Sequence, residues 1–180
     1  MIVSREDFKK CLLNRDLVIT PFEENNLGHC DINLRISRKY ARIGKRKDIL
    51  DLYVENMSDG GFINDKYFTV EEGKEYLIQP NEHLLIESLE YLEVPTYLTA
   101  LIGLRSTFSR LGLNTPPTVI DPGFKGTLVF HLIGSSFPIK LYEGMAIFKV
   151  IFMNLSSDTE GYHGKYQGQS GIMLPKKDLR

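Results

Sequence analysis

The chain has 180 residues, 42% of them hydrophobic and 25% charged, with a formal net charge of −1; that is enough for one domain with a genuine core. The near-zero charge argues against a dedicated nucleic-acid binder, which would be clearly basic. Cys11 and Cys30 lack metal-ligand spacing and need no disulfide framework, which suits a reducing cytosol. No run approaches the ~18 apolar residues of a membrane span, and "MIVSREDFKK" has no apolar stretch after its charges. A soluble cytoplasmic protein is expected, without a signal peptide.

In chain order, Ser4 and Asp7 resemble a capped helix start, and Phe8, Cys11 and Leu12 then share one helical face. After Pro21 the period changes to two. "CDINLRI" alternates Ile32, Leu34 and Ile36 against Asp31, Asn33 and Arg35, as a half-buried strand does. The locally basic "RIGKRK" from Arg42 reads as a solvated loop or edge. Short strand-like runs follow: "YARI", "DLYV", "YFTV", "EYLI", "HLLIESLEYLEV", "YLTALIGL", "TVID", "GTLVFHLIG", "FPIKLYEG" and "MAIFKVIFMNL". Gly, Asn, Asp or Pro separates them, and "STFSRL" alone interrupts as a helical turn. The pattern predicts a mainly β domain, a sandwich or distorted antiparallel barrel with a short N-terminal helix and one short internal helix. Its boundaries are 1–157, followed by a Gly- and Gln-rich segment, 158–180, whose composition reads as a mobile tail.

Three stretches carry residues suited to chemistry. In "GLRSTFSRLGL", Arg105 and Arg110 supply cations, while Ser106 and Thr107 stand at a helix start. That set suits an anion, although Ser and Thr also cap helices for purely structural reasons. In "TVIDPGFKGTLVFHL", Pro122-Gly123 is a turn dipeptide with Asp121 at its first position and Phe124 just beyond. Asp121 is thus either a turn stabiliser or an acid held at a hinge, and Phe124 either a core or a site residue. In the tail, glycines interleave with Tyr162, Lys165, Tyr166, Gln167 and Gln169. A flap over a phosphate and an unstructured tail share that composition.

Together "DINLRI", "RSTFSRLGL", "IDPGFKG", "EGMAIFKVIF" and "YHGKYQGQ" resemble, in order and spacing, the dCTP deaminase branch of the dUTPase superfamily. The resemblance covers most of the chain. It implies a distorted β-barrel, a homotrimer with active sites between subunits, a deoxypyrimidine triphosphate substrate (dUTP or dCTP), and Mg²⁺ bound through the triphosphate and water rather than by protein ligands. It also implies roles: Ser106 as the active-site serine, Arg105 and Arg110 as the motif arginines, and Asp121 as the acid that orients or activates water. Phe124 stands where an aromatic packs on the deoxyribose, and Tyr162, Lys165 and Gln169 match phosphate-contacting tail residues. Thr107 and Pro117 occupy nucleotide-binding positions but replace commoner residues.

One departure bears on the reaction. The deaminases carry a proton-shuttling Glu ten residues after the hairpin acid, and here that position is His131. Metal-free deamination at C4 needs a base and an acid at the ring, a task open to imidazole by pKa but not by shape. A dUTPase needs only a positioned water, Mg²⁺ and cationic clamps. Hydrolysis of dUTP to dUMP and pyrophosphate is therefore expected first, dCTP deamination or a bifunctional enzyme second, and a catalytically silent nucleotide-binding regulator third.

Overall fold

The computed structural model describes residues 1–44, 49–50 and 66–176; "DLYV" and residues 45–47 of the basic run lie outside them. Helix α1 (Arg5–Leu13) starts where the sequence places it: Ser4 is its N-cap and accepts from the Asp7 amide, and Phe8 is its buried residue. Strands β1 (Val18–Thr20), β2 (Ile32–Ile43), β3 (Phe68–Glu72), β4 (Glu75–Ile78), β5 (His83–Glu93) and β6 (Leu98–Leu104) follow. Helix α2 (Ser106–Arg110) interrupts before β7 (Thr118–Ile120), β8 (Lys125–Ile133), β9 (Ile139–Tyr142) and β10 (Ala146–Asn154).

Every strand pairing is antiparallel. The main sheet has the order β1-β5-β2-β10-β6-β7, with β3 added on β2 and β8 on β5, while β4 and β9 form a separate ribbon. Register shifts between Glu87 and Tyr91, Ile36 and Tyr40, and Ala146 and Phe148 bend the long strands and curl the sheet into a half-barrel. Its concave side holds one core that includes Leu34, Ile36, Leu84, Ile86, Phe130, Phe148 and Phe152. Strand β8 alternates as its sequence suggests, with Leu128, Phe130 and Leu132 buried and Thr127, Val129 and His131 half-buried on the other face.

The alternation read into "DINLRI" holds only on its apolar side. Asp31 and Arg35, expected to face solvent, are both buried. The Arg35 guanidinium donates from Nε to Glu90 Oε1 at 2.6 Å, pairs with Glu23 and reaches the Pro21 carbonyl, so the segment after β1 covers this face of β2. Asp31 pairs with Lys149 of β10 at 2.9 Å. Glu90 also accepts from the Arg35 amide; burial pushes its carboxyl up, against the pull of Arg35. Charges in strand positions are retained here because each is desolvated together with its counter-ion.

Replacing one member leaves the other buried alone. Arg35→Leu is expected to destabilise the fold by about 3–5 kcal/mol, whereas Arg35→Leu/Glu90→Leu costs clearly less than the two single changes summed. Denaturant unfolding of the four proteins measures this; additive losses would remove the coupling.

Candidate active site

The hairpin between β7 and β8 is built by its turn. The Phe124 amide donates to the Asp121 carbonyl at 3.2 Å, and Gly123 has φ +77°. Pro at the second position and a positive-φ Gly at the third make a type II turn, which puts Asp121 at the corner. Its carboxylate is exposed and makes no hydrogen bond or ion pair among the described residues. Phe124 is 6% exposed and belongs to the core cluster, with its ring centroid 6.1 Å from that of Tyr162.

The segment read as a mobile tail lies instead on this hairpin. The Tyr162 amide donates to the Pro122 carbonyl (2.7 Å), the Gly168 amide to Lys125 (2.8 Å), and the Thr127 amide to Gln169 (3.0 Å). Gln169 Nε2 donates to the Thr127 carbonyl, and Gln167 Nε2 to the carbonyls of Gly123 and Tyr162. A Cβ on Gly123 would lie 2.6 Å from Gly161 Cα, and one on Gly126 2.7 Å from the Gln169 carbonyl oxygen. Two glycines of the hairpin thus let a second backbone approach, so the segment is pinned by main-chain bonds that its composition does not reveal. Farther on, the Gly171 amide donates to buried Glu87, and Ile172 and Leu174 pack on Leu85 and Val129.

Between hairpin and tail lies a cleft of about 300 Å³ lined by residues including Asp121, Phe124, Val119, Tyr162, Tyr166 and Gln169. It is largely apolar with a few polar groups, the usual make-up of a small-molecule site. Among its lining residues Asp121 is the one carboxylate and none is cationic. Arg105, Ser106, Thr107 and Arg110 do not line it. They lie on and just before α2, beyond the far end of β6. Ala100 pairs with Ile120, and Arg105 lies five residues farther along the chain, about 17 Å when extended. The Arg105 guanidinium donates to the Ala146 carbonyl at 2.7 Å, while Ser106, Thr107 and Arg110 are exposed, as is Pro117. Lys165 lies outside the cleft and donates to the Lys176 carbonyl.

His131 is also outside it. Its Nε2 lies 2.9 Å from Nδ1 of His83 on β5. Burial, then the charge of His83, pushes the His131 imidazole below the ordinary histidine value. Two residues here left no sign in the sequence, and a third left little. His83 had no signal, because its partner is on another strand. Glu87 fell inside a long apolar run; it accepts from Ser37, Thr127 and Gly171 and so ties the tail to β2, β5 and β8. Tyr166 was visible only as one aromatic of the tail; its hydroxyl accepts from the Lys176 amide.

Residues 2–155 match the dCTP deaminase-like family model. The chain belongs to the dCTP deaminase-like family. It is 40% identical to a dCTP deaminase of Saccharolobus solfataricus over 98% of this chain and 92% of that one. It is 37% identical to a protein of Sulfolobus islandicus rod-shaped virus 1 described as a probable deoxyuridine 5'-triphosphate nucleotidohydrolase, over 99% and 100%. The crystal structure of the Agrobacterium tumefaciens 2'-deoxycytidine 5'-triphosphate deaminase superposes with a TM-score of 0.63 at 16% identity, covering 84% of this chain and 47% of that chain. That likeness establishes the fold shared with this family.

Closeness at the two glycines is testable. Gly126 has φ +145°, so Gly126→Ala is expected to add about 1–3 kcal/mol of backbone strain and displace the tail. Hydrogen exchange should then quicken at residues 161–171 while α1 stays protected; unchanged protection of the segment would refute the seating.

Proposed function

We propose that this family member is a dUTP diphosphatase, hydrolysing dUTP to dUMP and pyrophosphate in a cleft centred on Asp121. The observation that carries this reading is the chemical content of the cleft. It offers one unpartnered carboxylate among apolar and aromatic walls, enough to hold and activate a water. A deamination needs a second proton carrier at the pyrimidine. His131, the residue at that sequence position, lies outside the cleft with its Nε2 engaged by His83.

In this reading Phe124 and Tyr162 flank the sugar, and residues 158–180 cover the nucleotide, with Tyr162 and Gln169 toward the phosphates and Lys165 reaching them on leaving the Lys176 carbonyl. A triphosphate also needs cations, and the cleft lining supplies none. Ser106, Arg105 and Arg110 provide hydroxyl and guanidinium donors, with Thr107 and Pro117 beside them, on a surface that one chain does not bring to its own Asp121. A second copy supplies them if the chain assembles as a homotrimer with sites between subunits. Leu101 and Val119, cross-strand partners beside the cleft, are 41% and 53% exposed, an apolar edge that such a neighbour would cover. Mg²⁺ fits this arrangement bound through the triphosphate and water: it prefers oxygen and keeps several waters. The ion would neutralise phosphate charge, while Asp121 orients the attacking water and the arginines hold the leaving pyrophosphate.

The second reading is dCTP deamination, favoured by the Saccharolobus solfataricus relative's name. It requires His131 to swing from His83 into the cleft.

Product analysis separates the two. Asp121→Asn should lower pyrophosphate release from dUTP by ~10²- to 10⁴-fold. His131→Val should keep it within about tenfold, since the change alters packing rather than the reacting groups. Ammonia from dCTP in the wild type, abolished by His131→Val, would establish the deaminase instead. Mixing two inactive chains tests the shared site. Asp121→Asn and Arg110→Ala copies co-assembled at equal amounts should recover about a quarter of wild-type activity if each site joins two neighbouring copies. No recovery in a verified mixed trimer would place both residues in one chain's site.

A further inference from the structure

His83 and His131 sit diagonally across β5 and β8, with Nδ1 and Nε2 2.9 Å apart, ring centroids 5.1 Å apart and ring planes 29° apart. A long centroid distance with a short nitrogen distance means that the rings meet edge to edge, nitrogen toward nitrogen. Leu85 is the direct partner of His131, and Ile133 of His83, so both imidazoles project from the outer face of the sheet beside the seat of Leu174. His83 is exposed and His131 half-buried. One ring is therefore held by its surroundings, while the other is free to turn and open to water.

We propose that His83 and His131 form a bidentate bis-imidazole site for a borderline divalent transition-metal ion such as Ni²⁺ or Cu²⁺. Metal–nitrogen bonds of about 2.0–2.1 Å at right angles put two donors about 2.9 Å apart, which matches the present nitrogen separation in the pair. Tetragonal and octahedral ions use such cis pairs, and imidazole suits these metals and not Mg²⁺, which prefers oxygen. The exchange conserves protons. In the neutral pair the accepting ring already carries its proton on its far nitrogen. The donating ring moves its one N–H proton through water from the facing nitrogen to its own far nitrogen. His83 Nε2 and His131 Nδ1 are then protonated, and both facing nitrogens offer lone pairs to the metal. Turning the exposed His83 ring converts the edge-to-edge bond into a chelate.

Among the described residues no group of three or more His, Cys, Asp or Glu gathers around an ion position; water completes the coordination. Glu82, next in sequence, is occupied by Arg42 and the Gln79 amide. The bound ion would staple β5 to β8 at the edge of the tail's docking face. Neither histidine lines the cleft, although Leu85, the direct partner of His131, does; a metal held by the pair would keep His131 out of the cleft.

The test is calorimetric titration of the untagged full-length protein with Ni²⁺, with Mg²⁺ as control, on the wild type, His83→Ala, His131→Ala and His163→Ala. One saturable Ni²⁺ per chain is expected. His83→Ala and His131→Ala should each weaken it by at least about tenfold, and His163→Ala should leave it unchanged. Bound Ni²⁺ should also raise the melting temperature of the wild type more than that of His83→Ala, a variant at an exposed position that keeps the core intact. Equal affinity in the wild type and both pair variants, or no saturable binding, would reduce the pair to a hydrogen bond and overturn the proposal.

Discussion

Backbone-to-backbone contact between the hairpin and residues 161–169 is the constraint on which the candidate site depends. Side chains at Gly123 and Gly126 would occupy the space that the second chain segment uses. Without them Tyr162, Tyr166 and Gln169 would not stand over Asp121 and Phe124, and there would be no cleft. Glu87 extends the same contact inward. This buried carboxylate accepts from Thr127 Oγ1, the Gly171 amide and Ser37 Oγ, so three donors stand in for the water it has lost.

The division of charge follows from sheet topology. Strand β6 carries the chain from one end of the sheet to α2, and β7 returns it to the hairpin. The acid and the guanidinium of Arg110 are thereby kept apart within one chain. Arg110 and Asp121 are both exposed, and neither has a side-chain partner among the described residues. Had the fold placed them side by side they would have neutralised each other, leaving less charge for phosphate and water. Separation keeps both available, and in the proposed assembly a neighbouring copy brings them together.

Much of this was legible in the sequence where the controlling interaction is local. Ser4 and Asp7 marked the start of α1, Pro122-Gly123 marked the turn that positions Asp121, and the alternation in "GTLVFHLI" marked which face of β8 is buried. Legibility failed where the deciding partner is remote in sequence. Arg35 looked solvent-facing because Glu90 and Glu23 are invisible in its own strand. The Gly-rich segment after residue 157 looked free because the glycines that seat it belong to a different stretch. His131 was recognisable as standing in an acid's position, but His83, which holds it, was not. The motif order in turn identified the family, while the local substitution at His131 left two reactions open.

The most direct measurement is a crystal structure with Mg²⁺ and a dUTP analogue carrying an imido bridge between the α- and β-phosphates. The account predicts the deoxyribose against Phe124, residues 161–171 over the nucleotide, Arg105 and Arg110 of a second copy on the phosphates, and a water held by Asp121 in line with the α-phosphorus. A nucleotide bound with its α-phosphate remote from Asp121, or held with α2 of every copy unengaged, would contradict it.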